Sequence, residues 1–417
     1  MQLKTILNRV HRQRGFVYGE PCFCNEGRKA HLDVDVRPHG RSRARCSGCG
    51  NKRVGYDTLA PRRFEFVPLW GIAVFLVYAM RRVDCPQCGI VVEMVPWADG
   101  KTRITHAYAW FLAGWAKRLS WQEVAVAFET SWNTVFRSVE MAVTWGLARR
   151  DLDNVCSIGV DEVLWQRGYK FLTVVYQIDD GIRRLLWVGK DRKQKTLLKF
   201  FRMLGTERAK KLKFVCSDMW KPYLQVIARK APQAIHVLDR FHIASNMNKA
   251  ISEVRAQEAR ELKQKGLMAV LKGTRYCLLK RPENLTDHQN ITLIELLKYN
   301  LKTVKAYLLK EQFQVFWSYA SPYYASRFLD SWTAMAMRSR IEPIKKIARS
   351  LRIHKPLILN YFRARGTIAL GAVEGLNNKL KVITRRAYGF RSFEKAEVAL
   401  YHTLGNLPEP KHAHRFC

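Results

Sequence analysis

Acidic residues are in short supply in this chain. Its 35 Asp and Glu stand against 72 Lys and Arg, a formal net charge of +37 with an isoelectric point near 10.1. Charge of that size repels itself unless a polyanion is present, and the basic residues run along the whole chain instead of forming one tail, so DNA or RNA is the expected partner. Long apolar runs are missing too. The longest, Leu69 to Met80, has 12 residues, well short of the roughly 20 that span a bilayer. It reads as a strand or a buried helix. Met1 to Arg14 is basic but has no apolar segment of the kind a secretory signal needs, so a cytoplasmic, nucleoid-associated location is expected.

Hydrophobic residues make up 48% of the 417, ample for packed cores, and the length calls for two or three domains. Residues 1–40 are polar and poorly periodic. The ten cysteines include close pairs, which in an intracellular chain suggest metal ligands before disulfides. Cys22 and Cys24 form a lone C-x-C and read as ordinary thiols. Cys46-Ser47-Gly48-Cys49 and Cys85-Pro86-Gln87-Cys88 carry a stronger signal: two C-x-x-C knuckles, each followed by Gly, offer four sulfurs to a tetrahedral structural zinc and leave no open position for substrate. An elaborated zinc ribbon over 41–98 is expected.

Residues 99–150 read as three helices. Ser120 with Glu123 makes a capping box for a short helix, Glu129-Thr130 turns the chain, and Ser131 caps a longer helix. In a helix-turn-helix reading Trp132, Asn133, Thr134 and Arg137 face the major groove. The alternative is a plain three-helix packing unit.

The chain is organised around Ser157-Ile158-Gly159-Val160-Asp161-Glu162. With Lys170–Ile178 and Ile182–Val188 it makes three consecutive strands by period-two alternation. A basic helix (195–204), a strand Lys213–Ser217 ending on Asp218, a helix (221–229) and a strand Ala234–Leu238 ending on Asp239 follow. That order is the order of the ribonuclease H fold, in which the first and fourth strands are neighbours and their terminal acids converge. Asp239, at the end of the fifth strand, is the rival to Asp218 as second acid; because that strand lies farther from the first in this fold, Asp239 is ranked as a supporting group, with His242. Glu162 alternates to the other face of its strand and reads as a surface or supporting group. Residues 245–350 read as an all-helical insertion. A final helix from Gly371 to Arg386 presents Glu374, Asn378 and Lys381 on one face, so a third carboxylate is available. Lys381 reads as a DNA contact, and Arg385, Arg386 and Arg391 as contacts to DNA backbone or equally as a solvated helix end.

The strings Gly159-Val160-Asp161-Glu162, Ser217-Asp218-Met219-Trp220, Leu238-Asp239-Arg240-Phe241-His242 and Val373-Glu374-Gly375-Leu376-Asn377-Asn378-Lys379 resemble those of DDE transposases of the insertion-sequence family written ISL-three. The resemblance runs over roughly residues 40 to 405, with the zinc module and helix-turn-helix in that family's order. It implies an α/β architecture with a ribonuclease H-like catalytic core over 151–244 and 351–407. Asp161, Asp218 and Glu374 would hold two Mg²⁺ (or Mn²⁺) ions, and Asn378 would support them. It also implies double-stranded DNA, both transposon ends and target, as partner, and at least a homodimer to hold two ends. Two other readings stay open: a DNA-binding repressor with an inactive domain of this kind, and a structure-specific nuclease such as a resolvase.

Overall fold

The computed structural model describes residues 2–25, 30–166, 168, 170–266, 270–365 and 371–410. The chain divides into two compact units, one made of residues up to Arg150 with those from Glu394 onward, the other of Asp151–Phe393.

The first unit opens with helix α1 (Leu3–Val10) and strands β1 (Phe16–Cys24), β2 (His31–Pro38), β3 (Val54–Leu69), β4 (Ile72–Cys85) and β5 (Gly89–Val92). They pair in the order β1-β2-β4-β3, with β5 on the edge of β4. The apolar run at 69–80 is therefore a strand. Trp70 and Gly71, both at positive φ, turn the chain between β3 and β4, and Val74, Leu76, Tyr78 and Met80 point at period two into a core with Val34, Val36, Phe64 and Trp97. The first 40 residues, which show no periodicity to the eye, supply α1, β1 and β2. Their strands are half-exposed, so alternation is masked by polar outward positions. Arg81 clasps buried Glu93 with two nitrogens, and this neutralises a carboxylate inside the module.

Helices α2 (His106–Ala116), α3 (Trp121–Ala127) and α4 (Trp132–Arg149) follow. Both arms of the Ser120–Glu123 capping box form, Glu129 takes positive φ at the turn, and Ser131 accepts from the Thr134 N–H at 3.0 Å. Thr105, which caps α2, also bonds Glu65 of β3, so the helices and the sheet share one unit.

The second unit contains β6 (Ser157–Gln166), β7 (Lys170–Asp179), β8 (Ile182–Lys190), α5 (Gln194–Leu204), α6 (Thr206–Lys210), β9 (Phe214–Ser217), α7 (Lys221–Lys230) and β10 (Ile235–Leu238). Their sheet has the order β10-β9-β6-β7-β8, with β6, β9 and β10 parallel and β7 and β8 antiparallel. Ile158, Val160 and Val215 meet Leu197, Phe200, Val226 and Ile227 of α5 and α7 on one face.

Between β10 and α15 runs a helical stretch: α8 (Arg240–Gln264), α9 (Arg275–Leu279), α10 (Asp287–Leu297), α11 (Lys302–Gln314), α12 (Pro322–Arg338), α13 (Glu342–Ile353) and α14 (Lys355–Ala364). It starts at Arg240, five residues before the bound of 245 suggested by composition, because Asp239 caps α8 through the Phe241 N–H at 2.9 Å. Helix α15 (Ala372–Arg386) returns to the sheet on the face opposite α5 and α7. Gly159 makes this approach possible, since a Cβ there would overlap the Val373 side chain. The last helix, α16 (Phe393–Leu404), has its body in the first unit, where Lys395 lies 4.7 Å over the Trp132 ring. Among the described residues no helix is long and apolar enough to cross a membrane.

Candidate active site

Three parallel strands run side by side. Gly159 of β6 is level with Cys216 of β9, and Ser217 of β9 is level with Leu238 of β10. Strands β9 and β10 end there, whereas β6 continues past Asp161 to Gln166, so Asp161 lies within its strand and not at the end that its apolar lead-in suggested. Asp161, two residues past Gly159, Asp218, one past Ser217, and Asp239, one past Leu238, therefore occupy neighbouring positions across the sheet. All three are less than a tenth exposed. Helix α15 adds Glu374, exposed on the wall of a cavity of about 910 Å³ that Asp161, Asp239, His242, Asn378 and Lys381 also line.

Asp161 is held from every side. Its Oδ2 accepts from Asn377 Nδ2 at 2.5 Å, and its Oδ1 accepts from the Glu162 N–H at 2.7 Å and lies 3.5 Å from His242 Nε2. Asn377 is oriented by the Tyr176 hydroxyl, which donates to its Oδ1 at 2.9 Å. Bonding to Asp161 pushes His242 up to about 9 despite its partial burial, so an imidazolium faces this carboxylate at neutral pH.

Asp218 accepts from the Trp220 N–H at 3.0 Å, and its other oxygen is 3.6 Å from Arg192 Nη2. Burial raises its carboxyl above the usual range. Arg192 also pairs with Glu162 and stacks 4.5 Å over the Trp220 ring. Glu162 does point to the other strand face, yet it is no surface group. Burial, and next the Asp218 charge, push it up to about 7. Asp239, pushed up to about 6 chiefly by burial, also feels Asp161 and Glu374. Although β10 is two strands from β6, its terminal acid reaches the same cavity.

Divalent cations fit this donor set by its chemistry, since hard cations take carboxylate oxygen and several buried acids otherwise hold one another's protons on. Among the described residues, however, Asp161, Asp218 and Glu374 do not form a group with all ligand atoms within 4.8 Å of one another. Asn377 and His242 occupy the nearest approaches to Asp161. Two contributors, Asn377 and Arg192, went unnoticed in the sequence. Asn377 had a visible signal, lying one turn from Glu374 inside the same string; Arg192 had none beyond a basic run.

In the first unit the sulfurs of Cys46, Cys49, Cys85 and Cys88 all lie within 4.8 Å of one another, a set that can hold zinc. Gly50 and Gly89 take positive φ after each knuckle, and a Cβ at Gly48 would strike Cys88 Sγ. On α4, Asn133 and Arg137 are exposed. Trp132 is half-buried, stacked on Phe136 and edge-on to Trp121, while Thr134 faces the Ser131 hydroxyl at 2.8 Å. Lys381 and Arg385 are exposed on α15 and Arg386 is half-buried.

A family model described as Transposase, of the ISL3 DDE type, matches residues 158–400, more than half of the chain. The Transposase for insertion sequence element IS1001 from Bordetella parapertussis is 30% identical over 352 residues, covering 84% of this chain and 86% of that protein. The Transposase for insertion sequence element IS1557 from Mycobacterium tuberculosis, in two strains, is 32% identical over 392 residues, covering 88% and 87%.

Proposed function

The chain belongs to the ISL3 family of insertion-sequence transposases, and from that premise we propose that it binds the terminal inverted repeats of its element and cuts and joins DNA at Asp161, Asp218 and Glu374. The strand order β10-β9-β6-β7-β8 supports a ribonuclease H-like core interrupted by the helices α8 to α14. The observation that carries the reading is that Asp161 of β6 and Glu374, on a helix that starts more than 200 residues later, line one cavity, while Asp218 of β9 is near enough to Asp161 to feel its charge but is not among the residues lining that cavity. Asn377 bonds that helix to the first acid.

Asp161, Asp218 and Glu374 would hold two Mg²⁺ or Mn²⁺ ions. When bound, such ions activate an oxygen nucleophile and relieve charge on the leaving oxygen of a phosphodiester. The rest of the work belongs to side chains. Asn377 and Tyr176 aim the Asp161 carboxylate. His242 balances its charge until a cation competes for the same oxygen. Arg192 bridges Glu162 and Asp218 and offsets the repulsion between them by pairing with both. Lys381, Arg385 and Asn378 on α15, beside Glu374, are suited to guide the DNA backbone to the acids. Asn133 and Arg137 are the α4 side chains free to meet a groove, whereas Trp132 serves to set the helix. A chain with net +37 supplies the field that gathers double-stranded DNA, and holding two ends at once calls for at least two copies.

The test is direct. Purified protein, Mg²⁺ and duplexes carrying the inverted repeats that flank its gene should give cleaved and joined 3′ ends. Tight binding of those repeats with no cleavage in Mg²⁺ or Mn²⁺ would instead leave a repressor.

A further inference from the structure

A second cluster of metal-ligand side chains lies in the first unit, away from the four-cysteine set in sequence. Strands β1 and β2 pair antiparallel with Cys22 opposite Asp33 and Cys24 opposite His31. Directly opposed residues share a face, as do residues two apart on one strand. All four side chains therefore stand on one side of the hairpin in a two-by-two array, while Phe23 and Leu32 point the other way. Ligand atoms of Cys24, His31 and Asp33 lie within 4.8 Å of one another. The Cys22 and Cys24 sulfurs are 4.0 Å apart, close to the roughly 3.8 Å expected for two thiolates about 2.3 Å from one tetrahedral ion.

Asp33 is prepared for such a role. Arg63 of β3 donates to its Oδ2 at 2.7 Å and fixes the carboxylate. Its Oδ1 is buried, makes no hydrogen bond among the described residues, and lies 3.7 Å from His31 Nε2. A buried carboxylate oxygen without a hydrogen bond beside an imidazole and two thiols is an unfavourable arrangement unless a cation completes it.

We propose that Cys22, Cys24, His31 and Asp33 form a second zinc site. Two thiolates and an imidazole select zinc over the hard cations of the carboxylate site, and four ligands leave it structural. Binding releases the thiol protons to solvent. The ion would clamp β1 and β2 at the end where the chain passes from one to the other, and fix β2 against β4, the strand that ends on Cys85. The C-x-C looked like plain thiols in the sequence because its other two ligands follow a strand reversal.

Elemental analysis of the full-length protein is expected to find two zinc per chain. His31→Ala and Cys24→Ser should each remove one equivalent and leave the other. Cys49→Ser should likewise leave one equivalent, which Cys24→Ser added to it abolishes. Co²⁺ exchange gives an independent reading that does not depend on variants folding well. The unsubstituted chain should take up two Co²⁺ in distinguishable steps, with a mixed sulfur and nitrogen spectrum beside an all-sulfur one. A zinc content unchanged by Cys24→Ser and His31→Ala, or a Co²⁺ spectrum of the unsubstituted chain with all-sulfur character alone, would overturn the proposal.

Discussion

Asn377 Nδ2 meets Asp161 Oδ2 at 2.5 Å across 216 positions of sequence. This one bond ties the helix carrying Glu374 to the strand carrying the first acid. With Tyr176 holding the far side of the amide, the carboxylate is oriented before any cation arrives. Loss of a group that orients a ligand typically costs 10- to 100-fold in metal affinity or activity. Asn377→Ala should therefore raise the Mg²⁺ concentration needed for strand joining by roughly that factor. Tyr176→Phe, which leaves the amide in place, should do less. Mg²⁺ titration of joining checks both, and equal effects would remove Tyr176 from the orienting role.

The choice of second acid is open to measurement. Asp161→Asn, Asp218→Asn and Glu374→Gln should each cut joining by about a thousand-fold or more, since each removes several kcal/mol of charge stabilisation. Asp239→Asn should keep measurable activity because Asp239 is committed to capping α8. An inactive Asp239→Asn beside an active Asp218→Asn would exchange their roles.

His242 gives the site a pH signature in the absence of divalent cations. Its folded value, about 9, lies above the roughly 6.5 of a free imidazole. The pair with Asp161 thus contributes stability that is fully present below about pH 6.5 and is lost as the pH rises through 9. Chemical denaturation between pH 6 and 10 should show this decline in the parent chain and a flatter one in His242→Ala. Adding Mg²⁺ should lower the His242 titration seen by NMR, because the cation competes for the same carboxylate.

Gly159 is the contact point of β6 and α15. Gly159→Ala should destabilise the second unit by about 1–3 kcal/mol through overpacking against Val373, with a loss of joining as Glu374 moves. Urea denaturation reads the first effect. Val373→Ala in the same chain should restore part of it, and no restoration would mean that the clash lies elsewhere.

Zinc loss should separate the two units. Cys46→Ser should release one zinc and weaken binding to end duplexes while the sheet of the second unit keeps its circular dichroism and Asp161 its Mg²⁺ response. Unchanged end affinity would detach the four-cysteine module from DNA recognition.

Local patterns were legible where one rule dominates. Period-two alternation located β6 to β8, capping residues located α3 and α4, and paired knuckles located Cys46, Cys49, Cys85 and Cys88. Asp218 and Asp239 could be seen because each directly follows an apolar strand, whereas Asp161, read the same way, lies inside β6, whose pairing with β7 carries it on to Gln166. Less legible were elements whose partners are remote. Strands β1 and β2 are half-exposed and take their meaning from β4; Arg192 matters only because Trp220, Glu162 and Asp218 surround it. Asn378 stood on the acid-bearing helix face in the i, i+4 count, yet the neighbouring Asn377 is the one turned to the sheet, since Val373, Leu376 and Leu380 set which side of α15 is buried.

The sequence alone determined the charge, the ligand types and the local elements, because these depend on residue identity and on neighbours within a turn or a strand. Only the tertiary structure decided which acids share a cavity, which amide orients Asp161, and which strand completes the Cys22–Cys24 pair. Those are distances between chain segments far apart in sequence, and they follow from packing, which no short-range pattern records.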